Sequence, residues 1–284
     1  MSRARHRLLV PVLCLLLALA AMASLALGAV PLSPARVWAA LMGRGDMVAA
    51  AIVIDLRLPR LIVGAMVGAM LALAGAALQG YLRNPLAEPS VLGASNAAAL
   101  GAVAALYFGL SEWHPVALPA LAILTALIAL GLLFLLSGRS ESPLTLILAG
   151  IAVATMAGAG ISLALNLSPN PFAAMEIMSW LLGSVENRSV THILLAAPCI
   201  LVGAALLLAD GRALDALTLG EEGAQALGVD LTRARLLLLL GVAIGVGGAV
   251  AVSGAIGFVG LIVPHLVRPF TDRSPSAVLL PSLI

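Results

Sequence analysis

Two arginines, Arg57 and Arg60, stand on either side of a Leu-Pro pair, and such a pair suits the binding of carboxylates. A guanidinium group holds several N–H donors in one plane and binds a carboxylate through two parallel hydrogen bonds. Two such groups close together could bind acidic residues of another protein. They could equally anchor the end of a membrane helix, with their charged heads at the water interface. The two residues alone leave both possibilities open.

Other residues with catalytic or metal-binding potential occur singly. Ser95 lies among small residues, where a helix-capping or packing role is expected. His265 lies near the end of an apolar block, where a hydrogen bond to a neighbouring carbonyl is expected. Cys14 and Cys199 lie far apart in apolar blocks and are expected to be small hydrophobic residues. The sequence contains no lysine and no HExxH motif, so we predict neither a P-loop nor a metal or cofactor site in this chain.

The composition indicates a membrane protein. Of 284 residues, 62% are hydrophobic and only 10% are charged, against about 25% charged residues in soluble domains. The apolar residues form blocks of about 20, the length that crosses a bilayer as a helix, and the alternating pattern of a barrel is absent. The net charge of +2 is too small to indicate a nucleic-acid partner. We therefore predict an all-α, polytopic transmembrane helical bundle in contact with lipid, as a single domain over residues 1–284.

Eight spans are predicted from the apolar blocks. Their approximate bounds are 8–30, 59–80, 90–110, 116–136, 144–167, 192–209, 236–253 and 257–267. The first could also be a cleaved signal peptide, but its length favours an uncleaved span. Residues 31–58 form a polar stretch in which Trp38 suits a membrane interface, and residues 168–191 could hold a short helix at the surface. A new apolar run begins just before the chain stops at Ile284.

Arginine placement predicts a cytoplasmic N-terminus, since cytoplasmic segments are enriched in basic residues. With that orientation, ten arginines lie inside and five outside. The inside set is Arg3, Arg5, Arg7, Arg83, Arg139, Arg212, Arg233, Arg235, Arg268 and Arg273, and the outside set is Arg36, Arg44, Arg57, Arg60 and Arg188.

Two pairs of glycines predict close helix packing. Gly64 and Gly68 lie on the second span, and Gly241 and Gly245 lie on the seventh. Such small faces let helix backbones approach each other within a membrane.

Acidic residues are almost absent from the predicted spans. A transporter coupled to protons or sodium usually needs carboxylates within the membrane, so their scarcity favours energy supplied by another protein. The alternative is a secondary transporter or channel that works without an ATPase partner.

Three stretches resemble the FecCD-type permease family, the membrane subunits of ABC importers for iron-siderophores, haem and cobalamin. They are residues 57–95, with Arg-Leu-Pro-Arg, Gly-Ala-Ala-Leu-Gln-Gly and Arg-Asn-Pro-Leu-Ala-Glu-Pro; residues 217–229; and residues 253–268, with Pro-His-Leu-Val-Arg. The resemblance implies a type II ABC importer permease in the inner membrane, most often for an iron-siderophore. It implies as partners an ABC ATPase subunit that binds ATP and Mg, a periplasmic or lipoprotein substrate-binding protein, and a second permease copy or homologue.

The resemblance also implies roles for individual residues. Arg57 and Arg60 match the arginines that dock the binding protein, and residues 170–183 match a short helix beside the translocation path. The cytoplasmic gate would include five residues, of which the last two stand where the family often has small polar ones: Asn84, Pro85, Leu86, Pro143 and Leu144.

Residues 210–235 match the segment that couples the permease to its ATPase. An apolar stripe interrupted by Gly220 is predicted there, with Asp215, Glu221 and Glu222 exposed and Gly228 ending the helix. The stripe comprises Leu214, Leu217, Ala224 and Leu227. An apolar face on a loop indicates a partner that covers it.

The family has ten spans, of which about eight are complete here. We therefore expect that the chain is C-terminally truncated and lacks the last family spans.

Overall fold

The computed structural model describes residues 3–114, 116–137 and 143–284. These residues fold as a bundle of α-helices joined by short connections. The α-helices are α1 (Arg3–Ala26), α2 (Pro34–Leu41), α3 (Met47–Ala50), α4 (Leu58–Tyr81), α5 (Ala94–Tyr107), α6 (Leu110–Trp113), α7 (Ala117–Ser137), α8 (Pro143–Asn166), α9 (Pro171–Leu181), α10 (Val190–Leu208), α11 (Gly211–Ala216), α12 (Glu221–Ala226), α13 (Leu231–Ser253), α14 (Val259–Val267) and α15 (Pro275–Leu283). A π-helical segment covers Ala51–Arg57, and 3₁₀ turns cover Pro89–Leu92, Leu217–Leu219 and Arg268–Phe270.

Six helical runs in the described residues are long and apolar enough to cross a membrane, and they correspond to six of the predicted spans. The two remaining predicted spans are the shorter apolar helices α5 and α14. The third span is short because its first part, Pro89–Leu92, is a 3₁₀ turn that ends at Gly93 in the left-handed conformation. The all-α transmembrane fold is confirmed.

Helices α4 and α13 form the centre of the bundle. Helix α4 contacts α10, α13, α14 and α15, and α13 also contacts α5, α7 and α10. From Met70 to Tyr81 every residue of α4 is buried. The second half of α4 is therefore held on all sides by other parts of the chain.

Close glycine packing is present for one of the two predicted pairs. A Cβ atom added to Gly203 of α10 would lie 2.5 Å from Cα of Gly245 and 2.8 Å from the carbonyl oxygen of Gly241, so α10 and α13 meet backbone to backbone. For the other pair the prediction does not hold within the described chain. A Cβ at Gly68 would meet nothing within 4 Å, and one at Gly64 would only touch Val185 at 4.0 Å.

Most of the predicted polar stretch 31–58 is helical. The Ser33 hydroxyl accepts a hydrogen bond from the Arg36 amide at the start of α2, and the Asp46 carboxylate accepts one from the Ala49 amide at the start of α3. Arg36 also pairs with Asp46 at 2.6 Å and so joins the two helices. The helical run that contains α4 therefore begins at Met47 rather than at Pro59. Trp38 is exposed, as an interface residue would be.

Helix α1 lies at the edge of the bundle, with only 6% of its apolar stretch buried. The end of α1 packs into a small second core under α2 and the π-helical segment. This core consists of Leu25, Leu32, Val37, Ala40, Ala49 and Val53. Helix α1 is therefore fixed mainly at its C-terminal end, with a few further contacts to α4, α15 and the Arg268–Phe270 turn.

The short helix expected between residues 168 and 191 is present as α9. The Asn170 side chain accepts a hydrogen bond from the Ala173 amide at 2.9 Å and caps its first turn. Of the arginines that predict orientation, Arg139 lies outside the described residues. Arg235 is buried in α13, where it bonds to Ser137 and lies over the ring of Phe134.

Candidate functional site

An open cavity of about 810 Å³ lies at one end of the bundle, which we call the Arg57 end. Its walls are the end of α1, the π-helical segment and residues 186–189. Five charged side chains line it, namely Asp55, Arg57, Arg60, Glu186 and Arg188. The structure thus brings both predicted docking arginines to one cavity, together with a third arginine.

Arg57 is held by the end of α1. Its guanidinium donates hydrogen bonds to the carbonyl oxygens of Leu25 at 2.6 Å and Ala26 at 3.0 Å, and also to that of Val30. The last carbonyls of a helix lack partners within the helix and carry partial negative charge, so a guanidinium stabilises them. The observed bonds of Arg57 are those of a helix anchor, one of the two possibilities that the sequence left open.

Arg60 differs from Arg57 in its surroundings. It lies in the first turn of α4 and is exposed, and no hydrogen-bond or ion-pair partner contacts it in the described part of the chain. The guanidinium group of Arg60 is therefore available to bind a carboxylate of another protein.

Arg188 is a member of this site that the sequence did not single out. It is half-buried, its Nη2 donates to the Ser184 carbonyl oxygen at 3.0 Å, and its Nε has no partner among the described atoms. Burial lowers the pKa of this guanidinium, but arginine stays charged at neutral pH. The sequence could not group Arg188 with Arg57 by spacing. Arg188 lies in the connection between α9 and α10, far from Arg57 in sequence.

The first predicted gate segment lies at the opposite end of α4. The Asn84 side-chain oxygen accepts a hydrogen bond from the Leu86 amide at 2.9 Å, and its carbonyl accepts one from the Ala87 amide at 3.1 Å. Pro85 and Leu86 are exposed. Asn84 therefore builds a tight local turn that presents Pro85 and Leu86 on the surface.

The second predicted gate position lies at the start of α8. Helix α8 begins at Pro143, whose side chain lies outside the described part of the structure, and Leu144 is exposed. None of the described hydrogen bonds joins Leu144 to residues 84–86. Leu144 is thus a surface residue in the described chain, as Pro85 and Leu86 are.

A buried junction beside residues 84–88 was not predicted. Gln79 of α4 is 3% exposed, and its Nε2 lies within 3.5 Å of the carbonyl oxygens of Ala87, Gly260 and Leu261. Its Oε1 accepts a hydrogen bond from Nη2 of Arg268 at 2.7 Å. A lone amide in an apolar helix was the available signal, since polar groups within membranes usually have a defined partner.

The coupling segment, residues 210–235, contains α11, the 3₁₀ turn Leu217–Leu219, α12 and the start of α13. Leu214, Leu217 and Ala224 are buried in the chain's own core, whereas Leu227 is 65% exposed. The inference that the stripe needs an external partner is therefore wrong for three of its four residues. The sequence showed an apolar face but could not show that this chain covers most of it.

Gly220 and Gly228 of the coupling segment have the predicted effect on the backbone. Gly220 has φ +92° and separates the two short helices. Gly228 has φ +83°; its amide bonds to the Gln225 carbonyl, and the Val229 amide bonds to that of Ala224. This pair of bonds is a Schellman motif, which ends α12 as expected.

Acidic residues of the segment divide into two groups. Glu222 is exposed and Glu221 is half-exposed. The predicted exposure is therefore confirmed for Glu222 only; Glu221 is half-buried, and so is Asp215. The Asp215 carboxylate accepts hydrogen bonds from the amide of Ser276 at 2.9 Å and from the Ser276 hydroxyl at 2.6 Å, at the start of α15. Negative charge at a helix N-terminus is stabilising, which accounts for this position.

The remaining chemically capable residues do not assemble into a reactive site. Ser95 is half-buried in the first turn of α5. His265 is exposed on α14, and the expected bond to a carbonyl is not found among the described residues. Within the described ranges, no three His, Cys, Asp or Glu side chains are grouped to hold a metal ion.

Comparison with known proteins identifies a family of transport proteins. The model of the FecCD transport family matches residues 15–284. The uncharacterized ABC transporter permease YvrB of Bacillus subtilis (strain 168) is 41% identical over 234 residues, which cover 80% of this chain and 65% of YvrB. The vitamin B12 import system permease BtuC of Vibrio cholerae serotype O1 is 41% identical over 258 residues, which cover 90% of this chain and 75% of that protein. The chain thus spans slightly less than two thirds of the length of YvrB.

A solved structure gives the same result for the fold. It is a metal-chelate type ABC transporter in an inward-facing conformation, with a TM-score of 0.82 and 34% sequence identity to this chain. The match covers 98% of this chain and 87% of the other.

Proposed function

Because the chain belongs to the FecCD transport family, we propose that it is the permease subunit of a binding-protein-dependent ABC importer. The observation that carries the proposal is the family match over residues 15–284. The proposed partners are an ABC ATPase that binds ATP and Mg, a periplasmic or lipoprotein substrate-binding protein, and a second permease copy or homologue. The proposed location is the cell inner membrane, with the N-terminus in the cytoplasm.

The Arg57 end is the proposed docking face for the binding protein. Arg60 is exposed and has no partner in the described chain, so it can bind a carboxylate directly. Arg57 supports the same face by fixing the end of α1 beside the cavity. Docking charges of this kind steer association and fix orientation.

The coupling segment is the proposed contact for the ATPase. Its buried residues join it to the bundle, and its exposed residues are free to meet another protein. The exposed set includes Leu219, Glu222 and Leu227. In the proposed mechanism, nucleotide-driven motion of the ATPase moves this segment, and the segment moves residues 84–88 and the start of α8 between closed and open positions.

The proposed cargo is a chelated metal, with an iron-siderophore as the first candidate. One similar protein is an importer permease for vitamin B12, and the similar solved structure is of the metal-chelate type. A bulky chelate suits a path of small apolar residues, because such walls offer few groups that would hold it tightly.

Uptake into proteoliposomes tests the proposal. The chain would be reconstituted with an ABC ATPase and a substrate-binding protein from its own organism, and uptake of a ferric siderophore, haemin and cyanocobalamin would be measured. We expect ATP-dependent uptake of one of these, and its loss when the ATPase carries a Walker A lysine-to-alanine substitution. Uptake that continues without the ATPase would overturn the proposal in favour of a secondary transporter or channel.

A further inference from the structure

The C-terminal end of α4 contacts both the gate segment and the coupling segment through two adjacent residues. Gln79 bonds to the Ala87 carbonyl oxygen at 3.4 Å, to that of Leu261 at 3.3 Å and to the Arg268 guanidinium at 2.7 Å. It therefore ties α4 to residues 84–88 and to α14 with its following turn. Residues 84–88 and α14 are far apart in the sequence.

The next residue faces a different part of the molecule. A Cβ atom added to Gly80 would lie 2.9 Å from Cβ of Pro275 and 3.7 Å from Cβ of Leu214. Leu214 belongs to α11 of the coupling segment, and Pro275 is the first residue of α15. Asp215 of α11 also caps α15 through Ser276, so these two elements are bonded to each other.

We propose that Gln79 is a positioning residue that transmits movement of the coupling segment to residues 84–88, which contain the proposed gate residues Asn84, Pro85 and Leu86. This inference rests on the proposed function, since it gives that function a route through the chain. Movement of α11 and α15 displaces the end of α4 at Gly80. Gln79 then displaces Ala87 on one side and α14 on the other.

The burial of Gln79 is the reason that these parts move together. A buried amide or guanidinium that loses its hydrogen bonds loses stability, because water does not replace them. Gln79 and Arg268 each satisfy part of the other's hydrogen-bonding capacity within the bundle. The contacts around Gln79 are therefore retained when α4 shifts, and the gate segment follows.

Hydrogen exchange on the complete chain in lipid nanodiscs tests the inference. Gln79→Leu removes all side-chain bonds of Gln79. Gln79→Glu retains the acceptor for Arg268 but replaces the donor to Ala87 with an oxygen. We expect both variants to speed amide exchange at Leu86 and Ala87 by about tenfold. Both variants should also speed exchange in α14, because the Gly260 and Leu261 carbonyls lose their amide donor. Only Gln79→Leu should speed exchange at Thr271, whose amide bonds to the Arg268 carbonyl, because Gln79→Glu keeps the bond to Arg268.

Asn166→Leu is the matched control. Asn166 is the last residue of α8, and within the described ranges its side chain bonds only to the Ser162 carbonyl of its own helix, so its loss should leave residues 84–88 unchanged. Unchanged exchange at Leu86 and Ala87 in both Gln79 variants would overturn the inference. So would an equal increase across α10 and α13, because that pattern indicates general destabilisation.

A second measurement separates this inference from the proposed function. In the complex with its ATPase, addition of nucleotide should change exchange at residues 84–88 in the natural chain and not in Gln79→Leu. An unaltered nucleotide response in Gln79→Leu would contradict the inference. Failure of any ATPase to bind the natural chain would instead overturn the proposed function, while the result on the chain alone would still decide the role of Gln79.

Discussion

Gly75 and Gly260 are in direct backbone contact where α4 crosses α14. A Cβ atom on Gly75 would lie 1.9 Å from the Gly260 carbonyl oxygen, and one on Gly260 would lie 2.8 Å from the Leu71 carbonyl oxygen. No side chain fits between these helices. Helices α4 and α14 can therefore approach this closely only because both positions are glycine. A methyl group at either position would clash with the facing backbone.

Gly75→Ala should destabilise the bundle by about 3 kcal/mol, the upper range for an overpacked core, because backbone atoms cannot move aside as a side chain can. Thermal unfolding in detergent, followed by circular dichroism, measures the effect. Gly68→Ala is the control on the same helix, since a Cβ there meets nothing within 4 Å. Equal unfolding temperatures for the two variants would show that the contact is unimportant.

Arg57→Ala should release the end of α1. The substitution removes the bonds to the Leu25 and Ala26 carbonyls, and bonds from a charged donor contribute about 1.5–3 kcal/mol each. Amide exchange across residues 23–32 should increase, whereas Arg60→Ala should leave it unchanged. Equal exchange in both variants would argue against an anchoring role for Arg57.

Arg60→Glu should weaken docking of the binding protein without altering the fold. The exposed guanidinium becomes a carboxylate, which repels acidic residues of the partner. We expect a loss of affinity of at least about tenfold in surface plasmon resonance, larger at low salt than at high salt. Arg44→Glu, a change of the same charge outside the cavity, is the control. Full affinity in Arg60→Glu would remove this residue from the docking face.

The coupling segment should respond differently at its buried and exposed leucines. Leu227→Asp should reduce co-purification of the ATPase while the unfolding temperature stays the same, because Leu227 is exposed. Leu217→Ala should lower stability by about 2–5 kcal/mol, because Leu217 is buried. Leu182→Asp, an exposed leucine after α9, is the control for ATPase binding. Retained ATPase with Leu227→Asp would place the contact elsewhere.

Asp215→Asn should loosen the start of α15. The neutral amide keeps the shape of the side chain but loses the charge that the helix N-terminus favours, a change of about 0.5–2 kcal/mol. Exchange should rise at residues 276–279. Asp230→Asn, the same change at the cap of α13, should affect residues 233–236 instead. A rise at both places in Asp215→Asn would indicate a global effect.

The sequence predicts the spans well because a long apolar block is stable in a bilayer only as a helix. The predicted 59–80 and 144–167 correspond to Leu58–Tyr81 and Pro143–Asn166. The helices within residues 31–58 were missed because they are short and are started by single capping residues, Ser33 and Asp46. Length and hydropathy carry no information about such caps.

The candidate site is harder to predict, because a side chain's partner is set by tertiary contacts. Arg57 and Arg60 look equivalent in sequence, yet one caps α1 and the other is exposed. The apolar stripe of residues 214–227 predicts a buried face, but the sequence does not show whether this chain or a partner covers it. Gln79 has no recurring spacing, so its junction with Ala87 and Arg268 is visible only in the fold.

The position of α1 has a consequence for biosynthesis. Helix α1 is synthesised before Arg57, whose guanidinium holds it through a bond to a carbonyl 32 positions earlier in the chain. During translation α1 must therefore reside in the bilayer without its anchor. Residues 8–30 contain no charged side chain, so the nascent helix is compatible with lipid during that interval.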